Sequence, residues 1–471
     1  MSGKLQDAAQ LSSTITILSD ALQDLRNEFI LGLAPFKKIR TSLDYYAPLI
    51  EHANEVSPSI ATLMGATRKM RYIIFFLNNR EQRPGGGFMG SFAELDVEKY
   101  MITRFTIHDV YDADGQLEGH VDPPEPIKQY LQQPHWFLRD SNWAPSFREN
   151  VLKAQYFLEK ELRMKPADGY VAVTESALEM LLKAYPPITV TGIDSPITAD
   201  NLFFVIQQEV ENDFFPGAHT KKVVLADIAQ ALLHKTDRAT GEQLVSQLLQ
   251  TLEQKQVVIF STDPVVQTVV KKAGWDGDQI DPRCLYTKNC VSSYFHVVDA
   301  NLGVSKVNYW IHKTISKEFK IEENTLLDQT TILWENSAPS SEYPAGIYKN
   351  YARLYLDKTA KIDGISLNGV SIPYKEFTTQ HYREIGIYFE IEPLRTTEIK
   401  VATRYQLDPA LGNIPLQLVI QKRVGDVNTN VRLLLTKGLK PRNFTPVEKS
   451  GSIIYNSPLE SDKLFFIDIT Q

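Results

Sequence analysis

The stretch Arg71–Val97, RYIIFFLNNREQRPGGGFMGSFAELDV, sets two strand-like runs on either side of a short, unusual connection. The run RYIIFFL is continuously apolar, as a strand buried on both faces requires. GFMGSFAELDV alternates and reads as a second strand. Between them lie Arg80, Arg83, Pro84 and three consecutive glycines. Two cations beside a bare backbone suit an approaching anion. A plain turn with close strand packing explains the same residues.

Outward from this stretch the chain divides into three. Residues 1–68 repeat apolar positions at three- and four-residue steps, as in LSSTITILSDALQDLRNEFI, and predict a helical arm. Residues 69–300 alternate strand and helix patterns. ITRFTIHDVYD, DGYVAVT and VVIFS read as strands, PITV as a short one, and SFRENVLKAQYFLEKEL and ESALEMLLKAY as amphipathic helices. That succession predicts a three-layer α/β domain. Residues 301–471 lose the helical period. TLLDQTTILWEN, YARLYLD and TTEIKVATRYQL alternate on a period of two between turn residues, which predicts a C-terminal β-sandwich. The expected class is multidomain α/β plus all-β.

With 471 residues, 43% hydrophobic and 23% charged, the chain has material for ordinary globular cores. A net charge of −7 without a basic run argues against general nucleic-acid binding. Cys284 and Cys290 in CLYTKNC suit a disulfide across a short loop, which implies an oxidising compartment, or two unrelated free thiols.

The sequence has no phosphate-binding loop of the GxxxxGK[ST] type and no HExxH. What remains is a set of charges near element ends. Arg80 and Arg83 precede the glycines. His108, Asp109, Asp112 and Asp114 follow a strand. Arg139 and Asp140 sit among Trp136, Phe137 and Trp143, and Lys221 and Lys222 open a predicted helix. DADG reads as a polar turn ahead of a calcium loop. Trp136, Phe137 and Trp143 read as core or rim packing, with a sugar platform as the other reading. Guanidinium groups bind phosphate bidentately and aspartates hold magnesium, so a pyrophosphate-bearing substrate suits the set.

Five motifs in order, NNREQRPGGGFMGSF, HDVYDADGQLEGHVDPPEPI, YLQQPHWFLRDSNWAPSF, DFFPGAHTKK and VVDANLGVSKVNYWI, resemble the bacterial DUF4012 family, whose function is unassigned. Members often carry an N-terminal membrane anchor with the rest outside the cell. That implies an extracytoplasmic cell-envelope protein whose anchor lies outside this chain. The order of elements is also similar to the LytR-CpsA-Psr family, which transfers glycopolymers from a polyprenyl-pyrophosphate carrier to the cell wall. That resemblance implies a glycan substrate on such a carrier. Arg83 takes the position of the family's first phosphate-binding arginine, and Asp109 that of the acidic member of its Pro-Arg-Asp motif. Lys221 and Lys222 fall in its late basic cluster. The chain departs from the family where glycine replaces the aspartate of Arg-Ser-Asp and His108 replaces the Pro-Arg-Asp arginine.

Two functions are therefore expected. In the first, Arg80, Arg83, Arg139, Lys221 and Lys222 hold the pyrophosphate, while Asp109 and Asp112 orient Mg2+ or the accepting hydroxyl, with Asp109 as the metal ligand. In the second, the protein is a non-enzymatic surface or assembly protein that makes protein contacts through the sandwich and the helical arm.

Overall fold

The computed structural model describes residues 2–27, 40, 47, 50–190, 193, 195–212, 238–285, 289–449 and 452–470. The fold is mixed α/β with three sheets, and strands outweigh helices. Lys221 and Lys222, and the helix expected to follow them, lie outside the described residues.

The first sheet comprises β1 (Met70–Asn78), β2 (Phe88–Glu98), β3 (Met101–Asp109), β4 (Gly169–Thr174) and β5 (Val257–Ser261). Their order across the sheet is β3-β2-β1-β4-β5. The apolar run of β1 takes the centre, antiparallel to β2 and parallel to β4. Flanked on both sides, β1 has no free edge, but its two faces differ: Ile73, Phe75 and Leu77 are buried, whereas Tyr72, Ile74 and Phe76 opposite them are half-buried, short of the two-sided burial the apolar run predicts. The helix Phe147–Leu162 makes the return to β4. Ser146 caps it by accepting from the Glu149 amide, and Phe147, Val151, Ala154, Phe157 and Leu158 form its buried stripe. That stripe packs with Ile73, Phe75, Phe92 and Tyr170 in one core. Thr174 caps the next helix, Glu175–Leu182, in the same way. PITV forms no strand; Ile188 makes an isolated bridge to Ile197. DADG lies at the end of a short helix, Val110–Asp114, and Gly115 is its C-cap.

The remaining strands form a two-sheet unit. They are β6 (Val291–Asn301), β7 (Ile311–Glu322), β8 (Thr325–Asn336), β9 (Tyr348–Asp357), β10 (Lys361–Leu367), β11 (Val370–Ser371) and β12 (Lys375–Thr378). They continue as β13 (Tyr382–Ile391), β14 (Arg395–Gln406), β15 (Asn413–Gln421), β16 (Thr429–Leu435), β17 (Leu439–Pro441), β18 (Val447–Lys449), β19 (Ser452–Pro458) and β20 (Lys463–Thr470). One sheet runs β11-β10-β14-β8-β7-β16-β19-β18 and the other β12-β13-β9-β6-β15-β20-β17. Phe319, Ile332, Trp334 and Ile399 of the first share a core with Leu354, Phe389, Leu418 and Phe465 of the second. Each such side chain contributes about 1.5–3 kcal/mol on burial. The unit begins with β6 at Val291, ahead of the boundary expected at Asn301. The β6 run is buried almost throughout, and its pairing with β9 and β15 assigns it to the two-sheet unit.

The stretch that opens the sequence reading lies where the units meet. Every residue from Asn79 to Gly87, the loop between β1 and β2, is buried. Buried loops strand polar backbone groups unless something pairs them. Here the two-sheet unit does so. The Asn301 amide donates to Gln82 O (2.9 Å), the Asn308 amide to Arg80 O (3.2 Å), and Arg423 Nη1 to Arg83 O (3.0 Å). The Gln82 amide in turn donates to Asn308 Oδ1 at 3.0 Å.

Candidate functional site

The arginines of the loop face carboxylates of their own chain. Arg83, 2% exposed, donates through Nε to Asp140 (3.1 Å), through Nη2 to Glu81 (3.1 Å) and through Nη1 to Asn301 O (2.6 Å). Burial works against its charge, but Glu81 and Asp140 outweigh that and hold its pKa above the usual guanidinium value. Burial likewise opposes the Glu81 charge, and Lys306 with Arg83 overcomes it, leaving the carboxyl below the usual range. Arg80 makes a forked contact to both oxygens of Glu179 (2.7 and 2.6 Å), lies 3.8 Å from Glu175, and stands over the Tyr309 ring. Arg139 bonds Asp114 at 2.7 Å, approaches Asp140 at 3.6 Å and covers the Phe137 ring. Arg80, Arg83, Arg139 and Lys306 thus face Glu81, Asp114, Asp140, Glu175 and Glu179, four cations against five acids.

Asp109 caps the helix Val110–Asp114, accepting from the Tyr111 amide at 2.8 Å, and Asp112 lies exposed in its first turn. Among the described residues no three His, Cys, Asp or Glu side chains gather as a metal-ligand set. Cys284 and Cys290 are joined, with Cα atoms 6.3 Å apart, within the usual disulfide span.

The glycines serve the junction. Gly86 and Gly425 both have positive φ, +123° and +74°, and a Cβ on Gly425 would sit 2.2 Å from Gly86 O. Backbone meets backbone there, a distance only glycine permits. The Gly425 amide donates to Lys255 O, and its carbonyl accepts from Asn79 Nδ2 at 2.9 Å.

Beside this junction lies a groove that the motif reading missed. Two adjoining cavities of about 570 and 730 Å³ share Trp143, Arg353 and Glu384. One wall comes from Trp136, Trp143 and the helix Phe147–Leu162, the other from β9, β12 and β13. Four rings stack along it. Trp143 lies 6.3 Å from Tyr351, Tyr351 6.0 Å from Tyr130, and Tyr130 3.9 Å from Tyr388 at an interplanar angle of 4°. Arg353 lies over the Trp143 ring at 5.1 Å and donates to Trp143 O. Neither Arg80, Arg83 nor Arg139 lines either cavity. The tryptophans were visible in the sequence. Their partners sit in YARLYLD and EIGIYFE, which read only as alternating strands.

Residues 68–210 match the family described as protein of unknown function (DUF4012). This stretch belongs to DUF4012. It holds the arginine loop and every carboxylate that neutralises the three arginines, whereas Asn301, Lys306, Asn308, Arg423 and Gly425 lie beyond it. No curated protein matches the chain. Among solved structures, a putative nutrient binding protein from Legionella pneumophila subsp. pneumophila str. Philadelphia 1 is 11% identical. It aligns with 38% of this chain and 71% of its own, at a TM-score of 0.26. An M1 zinc metallopeptidase from Deinococcus radiodurans is 13% identical over 34% of this chain and 43% of its own, with a TM-score of 0.19. Native leukotriene A4 hydrolase from Saccharomyces cerevisiae is 8% identical over 34% and 28%, with a TM-score of 0.21. The chain spans less than half the length of these two.

The DUF4012 stretch also buries acids that no full countercharge serves. Burial pushes Glu161 up to about 8, with Asp114 nearby adding to the effect. Burial pushes Asp114 up to about 6 although Arg139 pulls the other way. Between the ordinary carboxyl pKa and these values the folded chain holds protons that the unfolded chain has released. Stability therefore falls as pH rises, from about 3.8 to about 6 through Asp114 and from about 4.5 to about 8 through Glu161. Glu161→Gln is expected to flatten that slope and raise the urea midpoint at pH 8. A slope unchanged by the substitution would show that Glu161 ionises normally.

Proposed function

We propose that this is a non-enzymatic cell-envelope protein in which the DUF4012 unit and a C-terminal β-sandwich form one joined scaffold for recognition. The observation that supports this reading is the pairing of Arg80, Arg83 and Arg139 with carboxylates of the same chain. A pyrophosphate entering there would meet acids already bonded to the cations it needs. It would also have to strip Arg83 of the backbone contact to Asn301. Displacing such a partner leaves a buried charge unpaired. The Cys284–Cys290 disulfide supports an oxidising, extracytoplasmic setting. Among the described residues no helix is long and apolar enough to cross a membrane.

The test is calorimetric titration of the full chain with geranyl pyrophosphate, with and without Mg2+. No saturable heat is expected under either condition. Micromolar binding that disappears in Lys221→Ala/Lys222→Ala or in Arg80→Gln would replace this proposal with the transferase reading, in which Asp109 and Asp112 carry the metal or hydroxyl.

A further inference from the structure

We propose that the groove between the DUF4012 unit and the β-sandwich binds a neutral oligosaccharide. This goes beyond the scaffold reading by naming what the scaffold recognises.

Size is the first argument. Cavities of about 570 and 730 Å³ that share three lining residues make one continuous trough, far larger than a packing defect. Charge is the second. Glu125, Glu149 and Glu384 line it with Lys153, Arg353 and Lys375. Three acids against three bases give no net field to select a polyanion or a polycation.

Lining chemistry is the third. Trp136, Trp143 and Tyr156 border one end, and Tyr374 and Phe377, 36% and 57% exposed, border the other. Such rings offer apolar surface to a ligand with flat C–H faces. Polar groups stand among them with unused capacity. Ser141 is 1% exposed and Arg353 5% exposed, and neither Ser141 Oγ nor Arg353 Nε makes a hydrogen bond within the protein. A buried polar atom without a partner is costly unless a ligand or water supplies one. A pyranose has the matching surface, with an apolar face for the rings and hydroxyls that both donate and accept. An extended peptide on the free edge of β12 is less well matched. Lys375 and Phe377 of that strand line only the larger cavity, and Ser141 lines only the other.

The experiment titrates the full chain with maltohexaose, cellohexaose and chitohexaose, by calorimetry and by tryptophan fluorescence. Polygalacturonate and a decaproline peptide are run beside them. Saturable binding of at least one neutral sugar is expected, weakened tenfold or more in Tyr374→Ala/Phe377→Ala. Those side chains are exposed, so an unchanged melting curve will show that the variant folds. Ser141→Ala is expected to weaken binding with the thermal midpoint held. The proposal is overturned if no neutral sugar binds at millimolar concentration, if the acidic polymer or the peptide binds in their place, or if the variants bind as the parent does.

Discussion

Arg83→Ala will lower the stability of the chain by about 3–5 kcal/mol, the usual cost of removing one partner from a buried ion pair. The substitution strips Asp140 and Glu81 of a shared cation, and it removes the donor to Asn301 O across the junction. Lys306 remains on Glu81, while Asp140 keeps only Arg139 at 3.6 Å, so Asp140 carries the larger loss. Arg83→Lys keeps the charge, but one ammonium does not reproduce a planar fork that reaches Asp140, Glu81 and Asn301 together. Its urea midpoint should fall between the parent and alanine variants. Lys320→Ala removes an ion pair whose two members are more than half exposed, and it should leave the midpoint in place. Limited proteolysis gives the second readout, since loosening the junction should expose Asn79–Gly87 to cleavage. A midpoint for Arg83→Ala within experimental scatter of the parent would refute the idea that this arginine joins the units.

Gly425→Ala is the other large effect. A methyl there meets Gly86 O at 2.2 Å while the backbone stays at φ +74°. The strain of a left-handed alanine and the displacement of the Gly86 backbone together should cost about 2–3 kcal/mol or more. The contacts to Lys255 O and Asn79 would be strained with it. Gly369→Ala separates the two causes. Gly369 has φ +81° with nothing near its Cβ direction, so that variant reports the backbone cost alone. Equal losses in both, followed by urea unfolding, would mean that the close approach of Gly86 and Gly425 contributes nothing.

The alternating strands of the two-sheet unit were legible because one face of each packs inward and the period of two survives in the sequence. Yet β7 shows the limit of that pattern. Its buried face carries Lys313 and Lys317 beside Ile315 and Phe319. Lys313 is held by Asp299 at 2.7 Å and Asp426 at 3.1 Å, and Lys317 by Asp328 at 2.9 Å. No local pattern announces partners that far along the chain. Arg83 meets the same limit. Its residue type suits an anion, and Asp140, an anion it meets, stands 57 residues away and arrives only through the fold. In the groove, Trp143 could be singled out in the sequence, whereas Arg353, 210 residues on, could not.

The clasped loop also bears on biosynthesis. A nascent chain emerging from its N-terminus presents Arg80, Glu81 and Arg83 long before Asn301, Lys306, Asn308 or Gly425 has been made. Until those residues arrive, the Arg80 and Gln82 carbonyls lack the amides that pair them, and the first core lacks Val424. Domains commonly fold one after another as they are synthesised. Here the loop of the first unit gains these partners only once the second has been made, so its complete pairing is a late step of synthesis. A gene cut between the two units would leave that pairing permanently incomplete.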